Sequence, residues 1–219
     1  MSHQVFWIAS QAFGIVAMVL LGISVALGLT MSGRLLSRPG LAAKLRRFHE
    51  ASTLVTLGLI VAHGGLLLFD SYLRPGLAGI TLPFAMAYRP LFTGLGIIAG
   101  WLAAILGLSF YARRRIGART WRRLHRLTIV VYALALVHVV GAGTNGTSPS
   151  MLVMLTGLTA PIVFAFTYRV LPRAAAPARL GQSAPPSRPA VSRRAAPARL
   201  GRSAPPSRPA VPRRAAPAS

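Results

Sequence analysis

Five long apolar stretches separated by short polar ones dominate the chain: about Val5–Thr30, Ala42–Asp70, Pro90–Tyr111, Thr120–Ala142 and Ser150–Leu171. Each approaches or exceeds the roughly 20 apolar residues that a helix needs to cross a bilayer. No stretch shows the strict alternation of a half-buried strand, and an open strand leaves its backbone unsatisfied in lipid. The pattern predicts an all-α, polytopic membrane helical bundle with five transmembrane helices. The first stretch lacks a basic leader and a small-residue cleavage site, so it is read as a retained helix and not as a secretion signal. Composition agrees, with 53% hydrophobic and 12% charged residues and a mean hydropathy of +0.56.

The formal charge of +23 invites a nucleic-acid partner, but its distribution argues against one. Ten of the 25 basic residues lie beyond Leu171. Five (Arg34, Arg38, Lys44, Arg46, Arg47) fall between the first two stretches, and seven (Arg113, Arg114, Arg115, Arg119, Arg122, Arg123, Arg126) fall between the third and fourth. Arg169 closes the fifth, while Arg74 and Arg89 alone occupy the opposite side. Thirteen against two is a strong positive-inside signal, which predicts an outside N-terminus and a cytoplasmic C-terminus in the plasma (or bacterial inner) membrane.

Inside this apolar frame stand four histidines. His49 and His63 are fourteen residues apart in the second stretch, and His125 and His138 are thirteen apart in the fourth. An ionisable side chain within the bilayer is costly, which makes each a functional candidate. The second and fourth helices run in the same direction, so His49 can face His125 at the cytoplasmic level and His63 can face His138 at the outer one. A fourteen-residue separation spans roughly 21 Å and returns nearly to the same helix face. The thirteen-residue separation leaves His138 roughly 140° out of phase with His125 on an ideal helix. A bulge, a tightened turn or a strong tilt would absorb that offset, or the two levels would use different facets of the fourth helix.

Neutral imidazole is a usual axial ligand of haem iron. Two helices, each with an upper and a lower imidazole, would clamp two haems stacked along the membrane normal. Four histidines at two matched depths favour ligation over four separately satisfied polar groups. Between the histidines run Ser52, Thr53, Thr56 and Ile60 on one helix and Thr128, Ile129, Tyr132 and Ala135 on the other. Ordinary close helix packing is the expected role of Ser52, Thr53 and Thr56.

The stretches "LRRFHEASTLVTLGLIVAHGGLLLFDSYL" and "RRRIGARTWRRLHRLTIVVYALALVHVVGAGTNG" resemble the ferric reductase-like transmembrane domain shared by ferric reductases and NADPH oxidases. The likeness runs from about Leu41 to Gly146 and is closest to short, free-standing bacterial members. It implies that His49 with His125 and His63 with His138 ligate two b-type haems. It also implies electron flow from a cytoplasmic reduced flavin to an acceptor outside, such as ferric iron, oxygen or a periplasmic redox protein. Two alternatives stay open: the haem subunit of a periplasmic methionine-sulfoxide reductase-type system, and a haem-binding sensor or assembly factor that does not conduct.

The sequence departs from the larger family members in one respect. After Leu171 there is no G-x-G-x-x-G in a strand–helix setting, so flavin is expected only on a separate flavoprotein donor. Residues 1–171 are expected to form the haem domain and residues 172–219 a disordered tail. That tail repeats in tandem: Ala175–Arg194 and Ala195–Arg214 differ only at Gln182/Arg202 and Ser192/Pro212. Its Pro-, Ala- and Arg-rich composition cannot bury a core, and its arginines suit anionic membrane lipid. The absence of cysteine excludes thioether haem attachment, cysteine-ligated iron–sulfur clusters and disulfides. The two carboxylates lie at opposite ends of one helix, where no catalytic carboxylate pair can form. Glu50 is expected in an ion pair with Arg46, Arg47 or Arg126, and Asp70 in one with Arg74 or Arg89, the alternative for Asp70 being a part in an outer acceptor site. Arg46, Arg122, Arg123 and Arg126 suit haem propionates, although arginines that merely set topology would look the same.

Overall fold

A computed structural model describes residues 2–32 and 40–171. Arg34, Arg38 and the repeat tail therefore lie outside the described residues. The described chain is all helix with turns: α1 (Ser2–Ser32), α2 (Leu41–Leu67), α3 (Gly76–Thr81), α4 (Pro90–Ile116), α5 (Ala118–His125), α6 (Thr128–Ala142) and α7 (Pro149–Val170). Five segments are long and apolar enough to cross a membrane: Gln4–Ser32, Leu41–Leu67, Pro90–Ile116, Ala118–Ala142 and Pro149–Val170. They coincide with the five apolar stretches to within a few residues, except that α4 runs on through Arg113, Arg114 and Arg115 to Ile116.

Local chemistry sets the helix ends. Pro90 and Pro149 occupy first-turn positions of α4 and α7, where a missing N–H costs nothing. The Ser148 hydroxyl caps α7 by accepting from the Met151 N–H at 3.4 Å. Gly117 joins α4 to α5 at φ 84°, a left-handed value that a residue with a Cβ adopts at a cost. Between the second and third spans the sequence pattern predicts only loop, but α3 forms there. The Trp101 indole N–H ties it to α4 by donating to the Thr81 carbonyl at 2.9 Å.

The fourth span is two helices with a tightened turn between them. Arg126 N–H donates to Arg123 O (3.3 Å), Leu127 to Leu124 (2.9 Å), Ile129 to Arg126 (3.4 Å) and Val130 to Leu127 (2.9 Å). Bonds of this i→i−3 kind advance the chain by about 120° per residue instead of 100°. The extra rotation has the sense needed to bring His138 back toward the face of His125. A tightened turn, one of the devices that would absorb part of the thirteen-residue offset, is present.

Two apolar clusters hold the spans together. Met18 and Val25 of α1 pack with Tyr132 of α6 and with Leu155 and Ile162 of α7, and the Tyr132 hydroxyl pairs with Thr159 at 2.9 Å. Ala99 and Leu106 of α4 pack with Val131 of α6. Large apolar side chains also point outward, among them Val61, Val153 and Phe164. On a water-soluble protein such a surface would aggregate; in a bilayer it faces hydrocarbon.

Candidate functional site

The packing of α1 and α2 on α4, α5 and α6 brings the four histidines together in two pairs. The ring centres of His49 and His125 lie 6.1 Å apart with planes at 85°. Those of His63 and His138 lie 6.2 Å apart at 76°. With a metal–imidazole bond of roughly 2 Å, two imidazoles sharing one metal through a ring nitrogen each have centres roughly 6 Å apart. Both pairs have that separation. Among the described residues no three of His, Cys, Asp and Glu cluster as a site for a bare ion. Each level thus offers two donors at a spacing that one metal can bridge, which suits a metal that carries further ligands of its own.

The hydrogen bonds show which ring nitrogen faces the gap. His138 Nδ1 lies 2.9 Å from the Phe92 carbonyl, and His63 Nδ1 lies 2.7 Å from the Ser10 carbonyl. A carbonyl only accepts, so both Nδ1 atoms carry the proton and both Nε2 atoms keep a lone pair. The Ser10 hydroxyl stands 3.1 Å from the same Nδ1 and donates to the His63 carbonyl at 2.8 Å. At His49 a closed relay gives the same tautomer. Thr53 donates to the His49 carbonyl at 2.8 Å, and Ser24 lies 3.1 Å from the Thr53 hydroxyl and 2.9 Å from His49 Nδ1. With the Thr53 proton committed to the carbonyl, Ser24 donates to Thr53 and accepts from Nδ1–H. Holding Nδ1–H in this way orients an imidazole whose Nε2 binds a metal.

These three seats share one construction. An acceptor at position i is followed at i+4, on the same helix face, by a glycine against the same ring. Ser10 is followed by Gly14, where a Cβ would meet His63 Nδ1 at 2.9 Å. Ser24 is followed by Gly28, where a Cβ would lie 3.7 Å from the His49 ring. Phe92 is followed by Gly96, where a Cβ would overlap the His138 ring. Ser10 and Ser24 are both buried. They carry no ionisable group, yet they repeat at fourteen residues in α1 as the histidines do in α2. That matched period in two antiparallel helices was the available signal.

The fourth seat is different. His125 Nδ1 and Trp121 Nε1 are buried and have no hydrogen-bond partner among the described residues. The two rings stack at 5.1 Å and 25°, and Phe110 of α4 backs Trp121 at 5.8 Å. A cavity of about 1560 Å³ opens beside the other pair and is lined by His63, His138, Gly14, Gly96 and Asp70, among others; His49 and His125 are not part of its lining.

Both expected ion pairs are corrected. Glu50 accepts from the Tyr111 hydroxyl, which reaches it from α4, at 3.1 Å. Asp70 is buried and accepts from the N–H groups of Tyr72 (2.7 Å) and Leu73 (3.0 Å) just beyond α2. It closes a turn, which is why its place near a helix C-terminus is tolerated. Arg74 and Arg89 donate instead to the carbonyls of Ser71 (2.7 Å) and Gly141 (2.6 Å). Arg46, Arg122, Arg123 and Arg126 are exposed at the His49/His125 end. Ser52 and Thr56 are buried, and their hydroxyls donate to carbonyls of their own helix, as close packing requires.

A family model described as "Ferric reductase like transmembrane component" matches residues 11–136, more than half of the chain. No curated protein and no solved structure matches the chain.

Proposed function

The chain belongs to the ferric reductase-like transmembrane component family, and we propose on that footing that it is a b-type cytochrome conducting electrons across the membrane through two haems. Multi-pass membrane placement and a redox role follow from the family and the five spans. Members of the family generally bind haem and work with separate flavin- or nicotinamide-dependent partners. The observation that carries the finer reading is the pairing of imidazoles, His49 with His125 and His63 with His138, at 6.1 and 6.2 Å.

When bound, haem supplies the one-electron chemistry. The residues do the rest. His49 and His125 would hold one haem at the arginine-rich end, and His63 and His138 would hold a second roughly 21 Å along the helix axis. The Ser24 hydroxyl and the backbone carbonyls of Ser10 and Phe92 hold protons on three Nδ1 atoms, which leaves three Nε2 lone pairs free for the gaps. The arginine-rich end faces the cytoplasm, where a reduced flavoprotein gives up electrons, and the acceptor is met at the Asp70 end. Residues 1–171 form the conducting unit.

The test is a reduced-minus-oxidised visible spectrum of the purified protein with a pyridine-haem assay. About two bis-imidazole haems per chain are expected, reducible by a flavoprotein donor. Near-perpendicular ring planes, at 85° and 76°, further predict strongly anisotropic low-spin ferric resonance, because the two iron dπ orbitals would then be nearly degenerate. A stoichiometry near one in fully loaded protein would sink the two-haem assignment. Bound haem that no donor reduces would favour a sensor over a conductor.

Ending the chain after Arg173 is expected to leave haem content and spectrum unchanged, since every seat lies between Ser10 and His138. Loss of haem on truncation would make the tail part of the folded unit. Unchanged haem with slowed reduction would make it a docking segment for the donor.

A further inference from the structure

The two levels are built from unequal hydrogen-bond acceptors. At the His63/His138 level each Nδ1–H meets a backbone carbonyl, of Ser10 at 2.7 Å and of Phe92 at 2.9 Å. At the His49/His125 level one Nδ1–H meets the Ser24 hydroxyl at 2.9 Å, and the other nitrogen has no acceptor among the described residues. A peptide carbonyl is a stronger acceptor than a hydroxyl, and a hydroxyl is stronger than none. An acceptor at Nδ1–H pushes electron density through the ring to Nε2 and makes it a better donor to a metal. Stronger axial donors stabilise the oxidised metal and lower its reduction potential.

We propose that Ser24 is a positioning residue that sets the donor strength of His49, and that the unequal seats give the His49/His125 level the higher reduction potential. This rests on the two-haem reading. It has a consequence for the paired serines of α1, which look equivalent by sequence. Ser24 supplies the acceptor through its side chain. Ser10 supplies it through its backbone, and its hydroxyl donates to the His63 carbonyl. Removing the two hydroxyls should therefore have different effects. Electron count is conserved throughout: one electron lost by the flavoprotein donor is gained at the His49/His125 level, then passed singly to the other level and to the acceptor.

The experiment is a spectroelectrochemical titration of the full-length, haem-loaded protein. Wild type should give two one-electron waves. Ser24→Ala should move the higher wave upward and leave the lower in place, while Ser24→Thr, which keeps a hydroxyl, should restore it. Ser10→Ala should move neither. Should Ser24→Ala fail to hold haem, Ser24→Cys keeps the side-chain volume with a weaker acceptor, and the same upward movement is expected. Two waves unmoved in loaded Ser24→Ala or Ser24→Cys, movement of the lower wave, or an equal shift from Ser10→Ala would each overturn the proposal while leaving the two-haem reading intact. A wild type with fewer than two bis-imidazole waves would overturn both.

Discussion

Replacing His138 with alanine is expected to cut haem from about two per chain to about one, with the remaining spectrum that of the His49/His125 level. The two pairs share no residue, and the levels are separated by roughly 21 Å of helix, so loss of one axial donor acts locally. Gly96→Val should reproduce the loss without touching a ligand. A Cβ at that position already overlaps the His138 ring, and valine adds two methyl groups that the ring can avoid only by leaving its bond to the Phe92 carbonyl. Gly28→Ala is the milder control, because a Cβ there would stand 3.7 Å from His49, an ordinary contact. Pyridine-haem assay against protein concentration measures all three. Full haem retention in Gly96→Val would show that the His138 seat is not built as described.

Reduction is expected to be strongly one-sided in oriented vesicles, faster by roughly tenfold or more when the donor is on the arginine-rich side. Arg114, Arg115 and Arg119 are exposed where α4 meets α5, at the end that carries His49 and His125. The opposite end has Arg74 and Arg89, whose guanidinium groups are occupied by the carbonyls of Ser71 and Gly141, and a buried carboxylate at Asp70. A positive rim steers an acidic flavoprotein or a flavin phosphate, and salt weakens that steering. Replacing Arg114, Arg115 and Arg119 together with glutamine should slow reduction and flatten its salt dependence while haem content stays constant. Stopped-flow absorbance at low and high ionic strength is the measurement. Equal rates from both sides would refute the orientation and leave the ligand assignment standing.

The spans were legible because hydrocarbon leaves one solution for a long apolar run, and the pairing of histidines followed because the second and fourth spans run in the same direction. The position of the tightened turn was not legible. Nothing in Arg126 or Leu127 marks them as the residues where i→i−3 bonds replace the regular ladder; only the phase error of His138 required some device. Short α3 was missed because Gly76–Thr81 lacks a full apolar period. The ion pairs of Glu50 and Asp70 were misjudged because sequence proximity to arginine says nothing of a phenol arriving from another helix or of N–H groups two residues ahead. Ser10 and Ser24 escaped notice because a serine in an apolar helix ordinarily bonds its own backbone. Their meaning appears only when α1 is laid antiparallel to α2.

The seats of His49, His63 and His138 are made of carbonyls, hydroxyls and glycines, none of which takes up or releases a proton on demand. On the two-haem reading, an electron passing between the two levels would find no proton-accepting group at these three seats, and its transfer would be electrogenic. Two levels roughly 21 Å apart span about two thirds of a hydrocarbon core of about 30 Å. A full crossing is worth about 2.3 kcal/mol per 100 mV, so this passage is worth about 1.5 kcal/mol per 100 mV. With the exterior positive, that field draws electrons outward, against any uphill step between levels of unequal potential. Conduction through this protein would then rise and fall with the energised state of the membrane that holds it.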